Sequence, residues 1–430
     1  MMIINNVTIL SMKDDRLTAG QYVKIENETI RAIQSSPFAE TGDVEIVDGT
    51  DQYLMPGLIN MHTHLGDNPD DLQLYLVNGV TTIRNMWGYG RFKPMNWIMG
   101  TRVFDHLTLK RQIENAEVVG PDIITAGALL DGNPPVFPKY MYLHALSDRE
   151  QTRRIIERQA LQGYDFIKIY HALSRQQFDE IMIYAGQYNM RVAGHVPDDV
   201  GVMHALDSKM WTMEHLYGFI NPYRPDLNPD METVKVLSHQ AAEKKVWQCP
   251  TLVANERLAN TAMQKTYERE RSFQYVSKRQ RKGMRFLQKA SEQLYEKKGI
   301  PGNHVYMDDY KAIVELLRRA GAGILVGTDK AVPYVVAGFS EHREMALLQD
   351  AGLSRYEVIR AATADAAKCL GLSDSLGTVE VGKRANLILT TSNPLDDLNA
   401  IQMHTGVFKA GVFYSRTECD AMLSKIQSAI

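Results

Sequence analysis

An α/β fold is predicted, a (β/α)8 TIM barrel with a small β-sandwich domain formed by both chain ends, and three features of the 430-residue sequence predict it. Eight apolar, strand-like runs recur through the middle of the chain, each followed by text of helical composition. The two ends share another texture, short alternating runs rich in β-branched residues. No glycine-rich phosphate turn follows the first barrel strand, which counts against a doubly wound open sheet.

Taken in order, residues 2–11, 21–34 and 44–54 are short β runs broken by turn residues, and the same texture returns at 377–391 and 405–415. Residues 1–55 and 373–430 are therefore expected to pair into one sheet domain around a barrel at 56–372. The eight barrel runs are 55–65 (MPGLINMHTHL), 79–86 (GVTTIRNM), 122–130 (DIITAGALL), 166–172 (FIKIYHA), 191–197 (RVAGHVP), 211–219 (WTMEHLYGF), 246–252 (VWQCPTL) and 322–331 (AGILVGTDKA). Segments such as 148–162 and 175–188 read as the intervening helices. The seventh connection is far longer than the rest. Its residues 255–299 are charged and helical in composition, an insertion expected over the C-terminal face where barrel active sites sit. Twelve Lys and Arg stand there against five Asp and Glu.

With 44% hydrophobic and 23% charged residues and a net charge of -3, the chain reads as a globular protein. No apolar run approaches the roughly 20 residues that a membrane span needs. Near-neutral charge argues against a nucleic-acid partner. Cys249, Cys369 and Cys419 are far apart and form no CxxC, so a disulfide framework or zinc ribbon is excluded. The start, with Asp14 and Asp15, does not read as a signal peptide. A cytoplasmic setting, a small-molecule substrate and no membrane partner are expected, and a homo-oligomer is compatible with all of this.

His62 and His64 flank Thr63 at the end of the first run. Residues i and i+2 of a strand face the same way, so two imidazoles project together into the barrel mouth. His195, His215 and Asp329 each end another apolar run. A buried, hydrogen-bonded role would suit any one of them; all at the same end of successive strands suit a metal site. Lys168 lies between Ile167 and Ile169, where an unpaired ammonium is costly. Either it snorkels to the rim, or it has reacted with CO2 to give a carbamate able to bridge two metals. Tyr170 and Tyr217, two residues beyond Lys168 and His215, share their inward face and are candidate substrate contacts, as is His144 after the third run. His204, His239, His304 and His404 sit in polar or helical text and are given no role.

On PGLINMHTHL, IKIY, AGHV, MEHL, VGTD, ATADAAKCLGL and GTVEVGKRANLILTTSNPL, nearly the whole chain resembles the metal-dependent amidohydrolase superfamily, with the flavour of its imidazolonepropionase-like and prolidase-like branch. It departs from the usual pattern at Lys330 after Asp329 and at Asn386. The resemblance implies a binuclear centre of two divalent ions, zinc first among the candidates. His62, His64 and Asp329 would hold one ion, His195 and His215 the other, and carboxylated Lys168 would bridge them. A metal-bridged hydroxide would be the nucleophile and Asp329 the catalytic base. The implied reaction is hydrolysis of an amide C–N bond, as in a dipeptide or N-acyl amino acid. A lactonase, esterase or cyclic-amide hydrolase would use the same centre. A deaminase typically lacks the bridging lysine, and a non-catalytic assembly relative loses ligands. Arg257, Arg269 and Arg271 of the insertion are candidates to clamp a substrate carboxylate.

Overall fold

The computed structural model describes residues 1–39, 43–66, 68–91, 103–136, 144–222, 224–258, 263–298 and 306–430. His304 and residues 259–262 and 299 of the predicted insertion lie outside them. Among the described residues no helix is long and apolar enough to cross a membrane.

The central barrel is parallel. Strands Asp122–Thr125, Val80–Asn85 and Leu58–Thr63 pair in that order. Phe166–Ile169, Arg191–Gly194, Thr212–Glu214 and Trp247–Cys249 continue it in chain order. The two arcs meet through a bridge between Ala126 and Phe166. The eighth run is thinner than the sequence predicts, a bridge from Ile324 to Gln248 rather than a full strand. It still closes the ring, since Leu325 N donates to Gln248 O at 2.9 Å and Met61 N to Val326 O at 2.8 Å. Its glycine explains the close approach. A Cβ on Gly327 would stand 2.4 Å from Cys249 Sγ and 2.7 Å from His62 Cβ, so only glycine lets this segment reach the first strand. The third run also differs, ending at Thr125 before a separate short strand, Leu130–Asp131.

Nearly all the barrel strand residues are buried, as expected for strands covered on both faces. The helix Ala364–Leu370 plugs the N-terminal end, where Ala366, Ala367 and Cys369 join Met61, Phe166, Trp211 and Leu325 in one apolar cluster. Chemistry is thereby confined to the opposite end.

The chain ends supply one eight-stranded sheet. Tyr53–Pro56 runs antiparallel to Leu387–Thr390, with Leu54 opposite Leu389, which joins the two ends. Its core takes residues from strands far apart in the sheet, Ile30 and Phe408 among them, and Thr29 bridges to Arg384. The sheet thus curls over its own core, the sandwich-like unit that the alternating runs predict. Asp122 fastens it to the barrel through Lys409 at 2.7 Å, Arg384 at 3.1 Å and Asn386 at 3.0 Å.

Candidate metal centre

All six residues singled out as ligands stand at the C-terminal end of the barrel. His62 closes the first strand beside His64, their ring centroids 5.5 Å apart. Asp329 reaches them from the eighth segment, Oδ1 lying 3.2 Å from His64 Nε2 and 3.5 Å from His62 Nε2. It is held there by its own backbone, since Thr328 N and Asp329 N both donate to His62 O, at 2.9 and 2.8 Å. His215 Nδ1 is 3.8 Å from Asp329 Oδ2, and its ring lies 4.5 Å from His62 and 4.7 Å from His195. Lys168 is fully buried on the fourth strand opposite Ala193. Its Nζ has no hydrogen-bond partner among the described residues, nor do the buried His62 Nε2 and His64 Nδ1. Buried polar atoms without partners, such as Lys168 Nζ and His62 Nε2, are what a site for cations leaves.

Two of these six residues are left-handed, His215 at φ 61° and Asp329 at φ 51°. Side-chain residues rarely adopt this conformation, and it concentrates at functional sites. Here it has a use. Alternation along a strand would send Glu214 and His215 to opposite faces, but the reversal at His215 lets both point inward.

Glu214 and Arg84 were not singled out from the sequence. Glu214 Oε2 lies 2.6 Å from His62 Nδ1, and Oε1 accepts from Arg84 Nη2 at 2.7 Å and from the Thr212 hydroxyl. Arg84 also donates to Met61 O at 2.6 Å and Thr212 Oγ1 at 2.8 Å, and its guanidinium lies 4.9 Å from the Trp211 ring centroid. Among the described residues, two groups of side chains offer ligand atoms within 4.8 Å of one another, His62 with His64 and Asp329, and His62 with Glu214 and Cys249. In the second group Arg84 already engages the carboxylate, so Glu214 backs His62 instead of facing the mouth. A signal was present. Both residues are ionisable and sit inside apolar strand runs, the same anomaly that marks Lys168.

Around His195 the packing is aromatic. Tyr170 and Tyr217 pack on its ring with centroids at 4.1 and 4.6 Å, and His171 Nδ1 approaches His195 Nδ1 at 3.0 Å. His215 Nδ1 meets Thr251 Oγ1 at 2.6 Å. His144 lies on the short strand His144–Ala145 beside Leu130, where the charge bearing on it is that of Arg158.

Burial sets the charge states. Burial first, then Lys168, lowers His62 to about 4; burial likewise holds His195 and His215 well below the usual imidazole range. His62, His195 and His215 are therefore neutral at pH 7, as metal ligation requires. Burial lowers Lys168 to about 8, against the pull of Glu214 and Asp329. Burial would raise Asp329, but His215, His64 and His62 outweigh it and hold the carboxyl well below the usual range.

The described part of the insertion is helical, with helices Leu252–Leu258, Gln264–Tyr267 and Lys278–Lys298. It packs on the segment after Asp329, where Tyr334 lies 5.7 Å from Tyr267 and 5.8 Å from Phe273. Arg257 does not point a free fork at the mouth. It is buried, pairs with Glu270 at 2.7 and 3.0 Å and lies 4.0 Å from the Tyr267 ring centroid. The insertion's own carboxylate takes both of its terminal nitrogens, so Arg257 drops out as a substrate clamp. Arg269 and Arg271 are exposed. Lys330, the departure after Asp329, is likewise taken up by an ion pair with buried Asp71.

A parallel barrel with histidines and an aspartate converging at its C-terminal mouth defines the class, a metal-dependent hydrolase. The pattern of the amidohydrolase family matches residues 53–413, and the chain belongs to that family. It is similar to a 5-methylthioadenosine/S-adenosylhomocysteine deaminase of Caldanaerobacter subterraneus, 23% identical over 94% of this chain and 86% of that protein. Among solved structures it is similar to a bottromycin amidohydrolase, 25% identical with a TM-score of 0.79 over 99% of this chain and 90% of the other. A Xaa-Pro dipeptidase with methionine in its active site shares the fold, with a TM-score of 0.71 at 18% identity over 96% of this chain and 99% of the other.

Proposed function

We propose that this chain hydrolyses an amide C–N bond, in a dipeptide or N-acyl amino acid, at a centre of two divalent ions, zinc before others. In this reading His62, His64 and Asp329 would hold one ion, His195 and His215 the other, and carboxylated Lys168 would contribute to both. The observation that carries it is the buried, unpartnered Nζ of Lys168 among those residues. An ammonium there would go unpaired at a cost of several kcal/mol, roughly, whereas a carbamate offers two oxygens to cations. Lowering Lys168 to about 8 favours the reaction, because only the free amine attacks CO2, forming the N–C bond and releasing one proton. Neutral histidines and nitrogen and oxygen donors suit zinc, with manganese or cobalt as substitutes. When bound, such ions acidify water and polarise a carbonyl.

The rest is the work of side chains. Asp329, kept ionised, takes a proton from the attacking water and passes it to the departing nitrogen. Tyr170 and Tyr217 pack on His195 and orient substrate at the rim. Similarity to the bottromycin amidohydrolase supports amide chemistry. A second reading, deamination, is favoured by the deaminase relative, while Lys168 argues against it.

One experiment separates them. Metal content is measured on the purified protein, which is then offered dipeptides, N-acyl amino acids, lactones, esters and adenosine-type substrates. Two ions per chain and turnover of the amides support the proposal. Ammonia release from the nucleosides alone, or full activity without metal, removes it.

A further inference from the structure

We propose that Glu344 is a positioning residue for His215, acting through Thr251: it caps the helix that follows Thr251 and so leaves the Thr251 hydroxyl to His215. This rests on the reading above, in which His215 holds an ion. Helix Leu252–Leu258 follows the seventh strand, and Thr251 stands immediately before it. A threonine in that place ordinarily has an extended backbone and turns its hydroxyl onto the second or third free amide of the helix. Thr251 is built otherwise. Its φ is 47°, and its hydroxyl lies 2.6 Å from His215 Nδ1. The amides are served from elsewhere. Leu252 N donates to Glu344 Oε1 at 3.0 Å and Val253 N to Glu344 Oε2 at 2.7 Å. Ala254 N donates to Thr251 O at 3.0 Å.

Glu344 comes from the helix Phe339–Asp350, far along the chain, and is fully buried, as is Thr251. A buried carboxyl is costly unless it is hydrogen-bonded, and here its bonds run to the two amides next to Thr251. Burial raises Glu344 to about 8. Each carboxyl oxygen keeps a lone pair in either protonation state, so the cap has its two acceptors on both sides of that value. Without Glu344 the amides would be buried and unpaired, which is unfavourable, and the Thr251 hydroxyl is the group that helix chemistry would turn onto them. His215 would then lose the partner on Nδ1 that sets the orientation of its ring. The carboxyl thus acts on the metal centre at two removes, without touching a ligand.

The test is a double-mutant cycle of Glu344→Gln and Thr251→Val. Glutamine keeps the shape of the side chain but has one acceptor oxygen in place of two, so one amide goes unserved. Ion affinities are read by chelator competition, and the centre is observed in the visible spectrum of the cobalt-substituted protein. In Glu344→Gln one of the two ions should bind about 10- to 100-fold more weakly, the usual loss when a ligand's outer partner is disturbed, and the cobalt spectrum should change. Thr251→Val should show the same loss. Adding Glu344→Gln to Thr251→Val should lower stability further but leave ion affinity where Thr251→Val put it. A merely structural role predicts an equal loss of affinity in both backgrounds, and that result would overturn the proposal, as would unchanged affinity and spectrum in Glu344→Gln. Should the variants fail to fold, a crystal structure of the zinc-loaded unmutated protein decides. Glu344 on the two amides with the Thr251 hydroxyl on His215 upholds the inference, and a Thr251 hydroxyl turned onto its own helix overturns it. An unmutated protein that binds fewer than two ions removes the binuclear reading and this inference together; one that binds two, with Glu344→Gln unaffected, removes this inference alone.

Discussion

The two halves of the proposed metal centre are backed differently. Behind His62 stand full charges, since Glu214 holds Nδ1 at 2.6 Å and Arg84 holds Glu214 at 2.7 Å, all three fully buried. Behind His215 stands a neutral group, the Thr251 hydroxyl, and His195 is packed among the rings of His171, Tyr170 and Tyr217. A charge-assisted hydrogen bond is roughly twice as strong as a neutral one. The His62 side should therefore be the stiffer, and the His195 side the first to lose its ion.

The harshest way to break the comparison is to remove a ligand. His62→Ala should lower kcat/KM by about three powers of ten, roughly 4 kcal/mol, with most bound metal lost. His195→Ala should also cost most activity, yet it should keep one ion more often in metal analysis. Equal loss of both ions in the two variants would erase the distinction.

Lys168→Ala comes next. With the bridge gone, metal content should fall toward one ion per chain, and added formate or acetate should partly restore the second. A fully loaded, active enzyme whose Lys168 shows a bare ammonium in a crystal structure would contradict the bridging role.

The outer partners allow a finer comparison. Glu214→Gln preserves shape but removes the charge that pairs with Arg84, so metal affinity should fall about 10- to 100-fold. Stability should fall too, by about 3–5 kcal/mol, the typical cost of leaving one member of a buried pair alone. Thr251→Val removes a neutral partner and should cost only about 1–3 kcal/mol of stability. Urea unfolding of the two variants checks the order, and a larger loss in Thr251→Val would reverse the ranking of the two sides.

These partners also show where the sequence stops being legible. Lys168 can be found because an ammonium between Ile167 and Ile169 conflicts with its neighbours along the chain. Arg84 between Ile83 and Asn85, and Glu214 after Met213, carry the same conflict. Glu214 escaped because strict alternation assigns it to the face opposite His215, and nothing in the text announces the left-handed turn at φ 61°. Thr251 is beyond sequence reasoning for another reason. Its role depends on which strands lie side by side, and it is not unusual where it stands. The barrel is legible because burial on both faces writes long apolar runs. Its eighth segment is least so, since Gly323 and Gly327 leave only a bridge at Ile324.

The smallest expected effect concerns one more group behind His62. Glu341 is buried on the helix Phe339–Asp350, and its carboxyl accepts from Asn60 Nδ2, while Asn60 Oδ1 accepts from His62 N at 2.8 Å. Burial raises Glu341 from 4.5 to about 7. A carboxyl raised in the folded state binds its proton more tightly there than in the unfolded chain. Its stability contribution is therefore complete below pH 4.5 and is lost as pH climbs toward 7. Glutamine stays neutral throughout and can present its carbonyl oxygen to Asn60. Glu341→Gln should thus match the parent protein near pH 4.5 and melt about one to two degrees higher near pH 8, the shift that roughly 1 kcal/mol, or slightly more, gives a chain of this size. Melting curves of metal-free protein at the two pH values isolate the effect, because ion binding would otherwise change with pH. A Glu341→Gln variant that is less stable than the parent at pH 8 would mean that Asn60 needs the ionised carboxylate. Glu341 would then belong with Glu214 in the charged backing of His62.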